Sequence, residues 1–105
     1  MHMKELQKET SNIIKQANFL QKKESRFFDL IEEVGELAKD IMYYEGWKKG
    51  KFSNRIARKD IADSLSDVLF DIFALADLYN LDLEKEYQKM IKRLKKRVTR
   101  GEFKN

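Results

Sequence analysis

The chain has no cysteine, no proline and only four glycines among its 105 residues. Without cysteine there are no disulfides and no thiolate metal sites, which is compatible with a reducing compartment. The absence of proline, with 38% charged residues, fits a helical and well-solvated protein. No apolar run approaches the roughly 18 residues that span a bilayer, and the first residues carry no apolar signal core. A cytoplasmic protein without a membrane partner is therefore expected. The single histidine, His2, lies between Met1 and Met3 and is given no chemical weight. Two of the four glycines, Gly46 and Gly50, fall in Glu45–Asn54, the one strong break in the chain.

What is present is organised by charge. The net charge is +4, yet residues 82–105 hold nine basic and four acidic side chains, so the positive excess is almost entirely C-terminal. Hydrophobic periodicity predicts four helices in one domain over residues 1–105, an all-α, four-helix bundle-like fold. The first covers 4–22, with Leu6, Ile13, Ile14, Ala17 and Leu20 as an incomplete apolar stripe. The second covers 26–44, with Ser25 as N-cap. The third runs from a cap at Ser53 or Asn54 to about Tyr79. Asn80 suits the left-handed residue that ends it, and Asp82 suits the next N-cap. The fourth runs from Leu83 to about Val98, with Leu83, Tyr87, Met90, Ile91, Leu94 and Val98 inward.

Each residue of a helix turns about 100°. Asp29, Glu33, Glu36, Asp40 and Tyr43 therefore share one face of helix two, with Glu32 at its edge. Phe27, Leu30, Ile31, Val34, Leu37, Ala38 and Ile41 take the other side. Gly35 inside this helix costs about 1 kcal/mol relative to Ala, which predicts a close approach of another backbone. On helix three, Asp60, Asp63, Ser64, Asp67 and Asp71 form a single stripe amid apolar residues. Helices in soluble proteins carry solvated charges, and Lys or Arg of helix four could pair with these acids. A central helix with four unpaired aspartates nevertheless calls for a cation. Hard oxygen donors without nearby His or Cys favour Mg²⁺ or Mn²⁺ over zinc.

Glu32-Glu33-Val34-Gly35-Glu36-Leu37-Ala38 and, after the loop, Asp63-Ser64-Leu65-Ser66-Asp67-Val68-Leu69 open two stretches that together resemble the MazG-type nucleotide pyrophosphohydrolases, the all-α NTP pyrophosphatase group. The resemblance spans roughly residues 25–97. It implies hydrolysis of (d)NTP to (d)NMP and pyrophosphate with Mg²⁺ held by four acidic side chains from two helices. By that pattern Glu33, Glu36 and Asp67 are metal ligands. Ser64 stands where the pattern has Glu, and Asp63, one position earlier, is the expected substitute. Glu32 or Glu33 would accept the proton of the attacking water. Tyr43 and Trp47 would wall the nucleobase, although both could instead close the end of the bundle. Asp71 is grouped with the substrate-binding residues. Lys89, Arg93 and Arg97, spaced by four, would meet the leaving pyrophosphate, or simply form a solvated helix surface. Phe27, Phe28, Phe70 and Phe73 read as core or subunit interface. A homodimer or homotetramer is implied.

Two other readings stand beside this one. The first is a phosphoribosyl-ATP pyrophosphatase-like enzyme. The second is a helical module that binds protein or nucleic acid through Lys92, Arg93, Lys95, Lys96, Arg97 and Arg100. Nucleic acid is disfavoured, because such a module has no use for buried aspartates.

Overall fold

A computed structural model describes residues 2–19, 22–50 and 55–104. They form four helices and, among the described residues, no strand: α1 Met3–Gln16, α2 Lys23–Tyr44, α3 Arg58–Leu78 and α4 Leu83–Thr99. The all-α architecture read from the sequence is the one found.

The four C-termini share one device. Asn18, Gly46, Asn80 and Gly101 each take a positive φ, of 57°, 75°, 54° and 77°. In each case the following N–H reaches back to the carbonyl five residues earlier: Phe19 to Ile14, Trp47 to Met42, Leu81 to Ala76 and Glu102 to Arg97. This left-handed closure satisfies carbonyls that the helix would otherwise leave orphaned. It ends α1 at Gln16, well short of the expected residue 22, because asparagine adopts the left-handed region at small cost. Leu20, expected on the stripe of helix one, lies outside the described residues.

The N-termini are less regular. Ser25, expected as a cap, lies inside α2, whose N-cap is Lys22 without a side-chain hydrogen bond. Ser53 and Asn54 lie outside the described residues, and α3 starts after Ala57. There Asp60 turns back to accept the Ala57 N–H at 2.7 Å, so this carboxylate serves the helix start. Asp82 caps α4 as expected, accepting from the Lys85 N–H.

α2 and α3 form the principal pair and run in opposite directions, since Asp40 meets Ser64 while Arg26 meets Asp71. α1 packs on α3, where Ile14, Phe73, Ala74 and Ala76 make the buried apolar core and Ser11 donates to Asp77 at 3.0 Å. Gln7 locks the corner between α3 and α4, donating to the Leu81 carbonyl and accepting from the Leu83 N–H. α4 docks against α1.

The expected inward faces are only partly covered. No residue of α4 is buried, and Tyr87, Met90 and Val98 are exposed while Leu83, Ile91 and Leu94 are half-buried. On α2, Phe27, Phe28, Ile31 and Val34 face outward, and on α3 so do Leu65 and Leu69. The physical reason lies in the pairing: α2 and α3 meet through their polar faces, which turns their apolar faces away. The radius of gyration is 17.2 Å, against about 13 Å for a compact chain of this size. Gly35 sits on this outward side. Among the described residues, no atom beyond its own stretch of helix lies within 4 Å of where its Cβ would be, so no other backbone of the described residues approaches it.

Candidate functional site

The polar seam between α2 and α3 opens into a cleft of about 440 Å³. Glu33 of α2 and Asp67 of α3 line it from opposite sides, together with Asp29, Ser25 and Arg26. Phe19 and Phe70 supply its apolar wall. The Glu33 carboxyl is pushed above its ordinary value first by burial, then by the charges of Asp67, Asp29, Glu36 and Glu32. Like charges from two helices are thus aimed at one space, an arrangement that a cation relieves.

Deeper in the seam lies Asp71, with 1% of its side chain exposed. Its Oδ1 accepts from Arg26 Nη1 at 3.1 Å, and the same nitrogen lies 4.0 Å from Asp29. Burial, followed by the hydrogen bond with Asp29, pushes the Asp71 carboxyl up to about 7; Arg26 pulls the other way. Asp71, expected beside the substrate, is therefore committed to an internal ion pair and does not line the cleft. A carboxyl that holds its proton more tightly folded than unfolded lowers stability as pH rises between its unfolded value, 3.8, and its folded one. The urea midpoint is expected to fall between about pH 4 and pH 7, and Asp71→Asn should flatten that slope, as equilibrium unfolding at several pH values will show.

At the other end of the seam the Ser64 hydroxyl donates to Asp40 at 2.5 Å, and both residues are buried. The position expected to carry Glu on α3 thus faces a carboxylate from α2 instead. Asp63, the expected substitute, is exposed and does not line the cleft, because its neighbour in sequence, Ser64, holds the inward position. Glu36 is exposed and lies 3.8 Å from Lys39, yet near enough to act on Glu33. Glu32 is exposed, at the edge of the face as expected.

The remaining candidates lie elsewhere. Tyr43 is ten residues beyond Glu33, about 15 Å along α2, and is half-buried with the Lys48 ammonium 5.8 Å from its ring. Trp47 is 73% exposed, so it does not close the bundle as core. On α4, Lys89 pairs with Glu86 at 3.5 Å and Arg97 with Glu102 at 3.1 Å, while Arg93 is exposed. None of the three lines the cleft, because α4 docks on α1.

Of the residues lining the cleft, Phe19, Arg26 and Phe70 escaped sequence reasoning as site residues altogether, Ser25 was read only as a helix cap and Asp29 only as part of the acidic face. For Arg26 a signal existed, since it lies three residues before Asp29 and seven before Glu33 and so shares their face. Phe19 could not be found, because the predicted first helix ran past it. The donor chemistry suits a hard divalent cation. Among the described residues, however, no three acidic or imidazole side chains converge closely enough to hold one. Glu33 and Asp67 are the two that line the cleft from different helices, with Glu36 near enough to act on Glu33.

Fold and cleft together define an all-α protein with carboxylates from two helices gathered at one opening. The family model of the MazG nucleotide pyrophosphohydrolase domain matches residues 21–100, and the chain belongs to that family. No curated protein and no solved structure matches it.

Proposed function

We propose that this chain is a Mg²⁺-dependent nucleoside triphosphate pyrophosphohydrolase that converts (d)NTP to (d)NMP and pyrophosphate, with Mn²⁺ able to replace Mg²⁺ and house-cleaning of surplus or non-standard nucleotides as its role. The observation that carries this reading is the meeting of Glu33 and Asp67, from two helices, in an open cleft of a chain of this family. Glu33, Glu36 and Asp67 would hold the metal, with Asp63 or Asp40 supplying the carboxylate that Ser64 lacks. When bound, the metal neutralises phosphate charge and acidifies coordinated water.

The chain's own groups do the rest. Glu33, whose proton affinity is raised by burial and by its acidic neighbours, is suited to accept a proton from the attacking water. Glu32 is the lesser candidate, being exposed. Water oxygen adds to phosphorus, the phosphoanhydride bond breaks, and pyrophosphate leaves with the bonding electrons. Phe19 and Phe70 give the nucleoside an apolar wall beside the cleft, a task for which Tyr43 and Trp47 lie at the wrong end of α2 in a single protomer.

The outward apolar faces of α2, α3 and α4 support a homodimer or homotetramer. Lys89, Arg93 and Arg97 would reach a substrate only where assembly brings α4 of one copy to the cleft of another. Incubation with a panel of NTPs and dNTPs and Mg²⁺, followed by pyrophosphate detection, tests the reading. Pyrophosphate release that EDTA abolishes supports it, and no release from any nucleotide overturns it.

A further inference from the structure

We propose that Arg26 is the residue that grips the substrate's polyphosphate, and that buried Asp71 is its positioning residue. The proposal rests on the pyrophosphohydrolase reading and deepens it. Among the described residues lining the cleft, Arg26 is the one cation, and three carboxylates share the opening with it. A polyphosphate entering there meets Asp29, Glu33 and Asp67. A fixed positive group is needed to offset them wherever the metal does not reach.

Arg26 is held unusually firmly for that task. Its side chain is 11% exposed and its Nη1 is anchored on Asp71 at 3.1 Å. The guanidinium also lies 5.5 Å from the centre of the Phe70 ring, which limits its movement. Arginine presents five N–H groups in a rigid fork. With Nη1 engaged by Asp71, the other edge of the fork is Nε with Nη2, which has the geometry for two parallel bonds to a phosphate. Nε is shielded from solvent, so a phosphate oxygen meets it only after a turn of the guanidinium.

The pair itself is one-sided, which argues against a purely structural ion pair. Among the described residues, Arg26 Nε is buried without a hydrogen-bond partner, and the second Asp71 oxygen takes no donor from Arg26, its neighbour being the Asp29 carboxyl that raises its proton affinity. An internal pair optimised for stability would use both oxygens and two nitrogens of the fork. Here the donor left over is a buried N–H, which an oxyanion that penetrates to it would satisfy. Asp71 holds Nη1 and does not itself line the cleft, so it orients Arg26 without meeting the substrate.

The test measures tripolyphosphate affinity by calorimetry in Mg²⁺ buffer, where no nucleoside and no turnover contribute, alongside steady-state kinetics with the preferred nucleotide. Arg26→Lys keeps the charge and loses the fork; Arg26→Gln loses both. Both are expected to weaken tripolyphosphate binding at least about tenfold, with Arg26→Gln the worse, and to raise KM by more than they lower kcat. Asp71→Asn should shift KM in the same direction by a smaller factor. Should Arg26→Gln fail to fold, Arg26→Lys and Asp71→Asn carry the decision. Variants that melt at lower temperature yet keep wild-type tripolyphosphate affinity and KM would overturn the proposal, as would a wild-type protein that does not bind tripolyphosphate. Failure of the enzymatic reading looks different: no nucleotide is hydrolysed, while tripolyphosphate binding remains dependent on Arg26.

Discussion

Glu33→Gln protein is expected to release pyrophosphate at least about 100-fold more slowly than wild type while keeping its fold, and Asp67→Asn should behave the same way. Stabilisation of developing charge by a bound metal is worth several kcal/mol, and each 1.4 kcal/mol is tenfold in rate. The two carboxylates oppose each other across the cleft and are the pair from which that stabilisation would be built. The stability side of the prediction has its own sign. Glu33 is half-buried beside Asp67, Asp29, Glu36 and Glu32, all of which disfavour its charge. A neutral amide removes that repulsion, so the thermal midpoint should stay level or rise. Loss of activity together with an unchanged or higher midpoint marks a functional residue. Wild-type rates in both variants would remove the cleft as the active site.

Phe28→Glu combined with Ile31→Glu is expected to convert an oligomer into monomers. Phe28, with 62% of its surface exposed, and Ile31 stand three residues apart on the outward face of α2, beside Phe27 and Val34. Burying one such side chain contributes roughly 1.5–3 kcal/mol, so removing two and adding charge should weaken self-association by at least about 100-fold. Sedimentation of both proteins over a range of concentrations measures this. A wild type that is monomeric at every concentration would mean that these faces meet something other than a second copy. If activity falls together with the assembly, groups from two copies serve one site.

The acidic stripes show how far periodicity carries. Spacing alone assigned Glu33 and Asp67 to particular faces of two helices, because 3.6 residues per turn is a local property. It also marked Asn80 as a helix end and Asp82 as a cap, since both act through backbone groups a few residues away. Asn18 ended α1 early by the same local rule, and it was missed because an apolar residue followed it. Asp63 illustrates the opposite case. Its neighbour Ser64 faces inward and holds Asp40, a contact between positions 24 residues apart that no local pattern encodes.

Asp71 and Arg26 make the same point across 45 residues of sequence. Their positions on two helices were readable, but their pairing depended on how far one helix slides along the other. By itself, then, the sequence determined four helices, where three of them stop, and which faces carry acid, all through interactions within a turn or two of backbone. The resemblance already implied that acids of two helices meet. Only the tertiary structure decided that Ser64 pairs with Asp40, that Asp71 is spent on Arg26, and that α4 lies away from the cleft. Those outcomes follow from register and side-chain fit between helices, which depend on contacts distant in sequence.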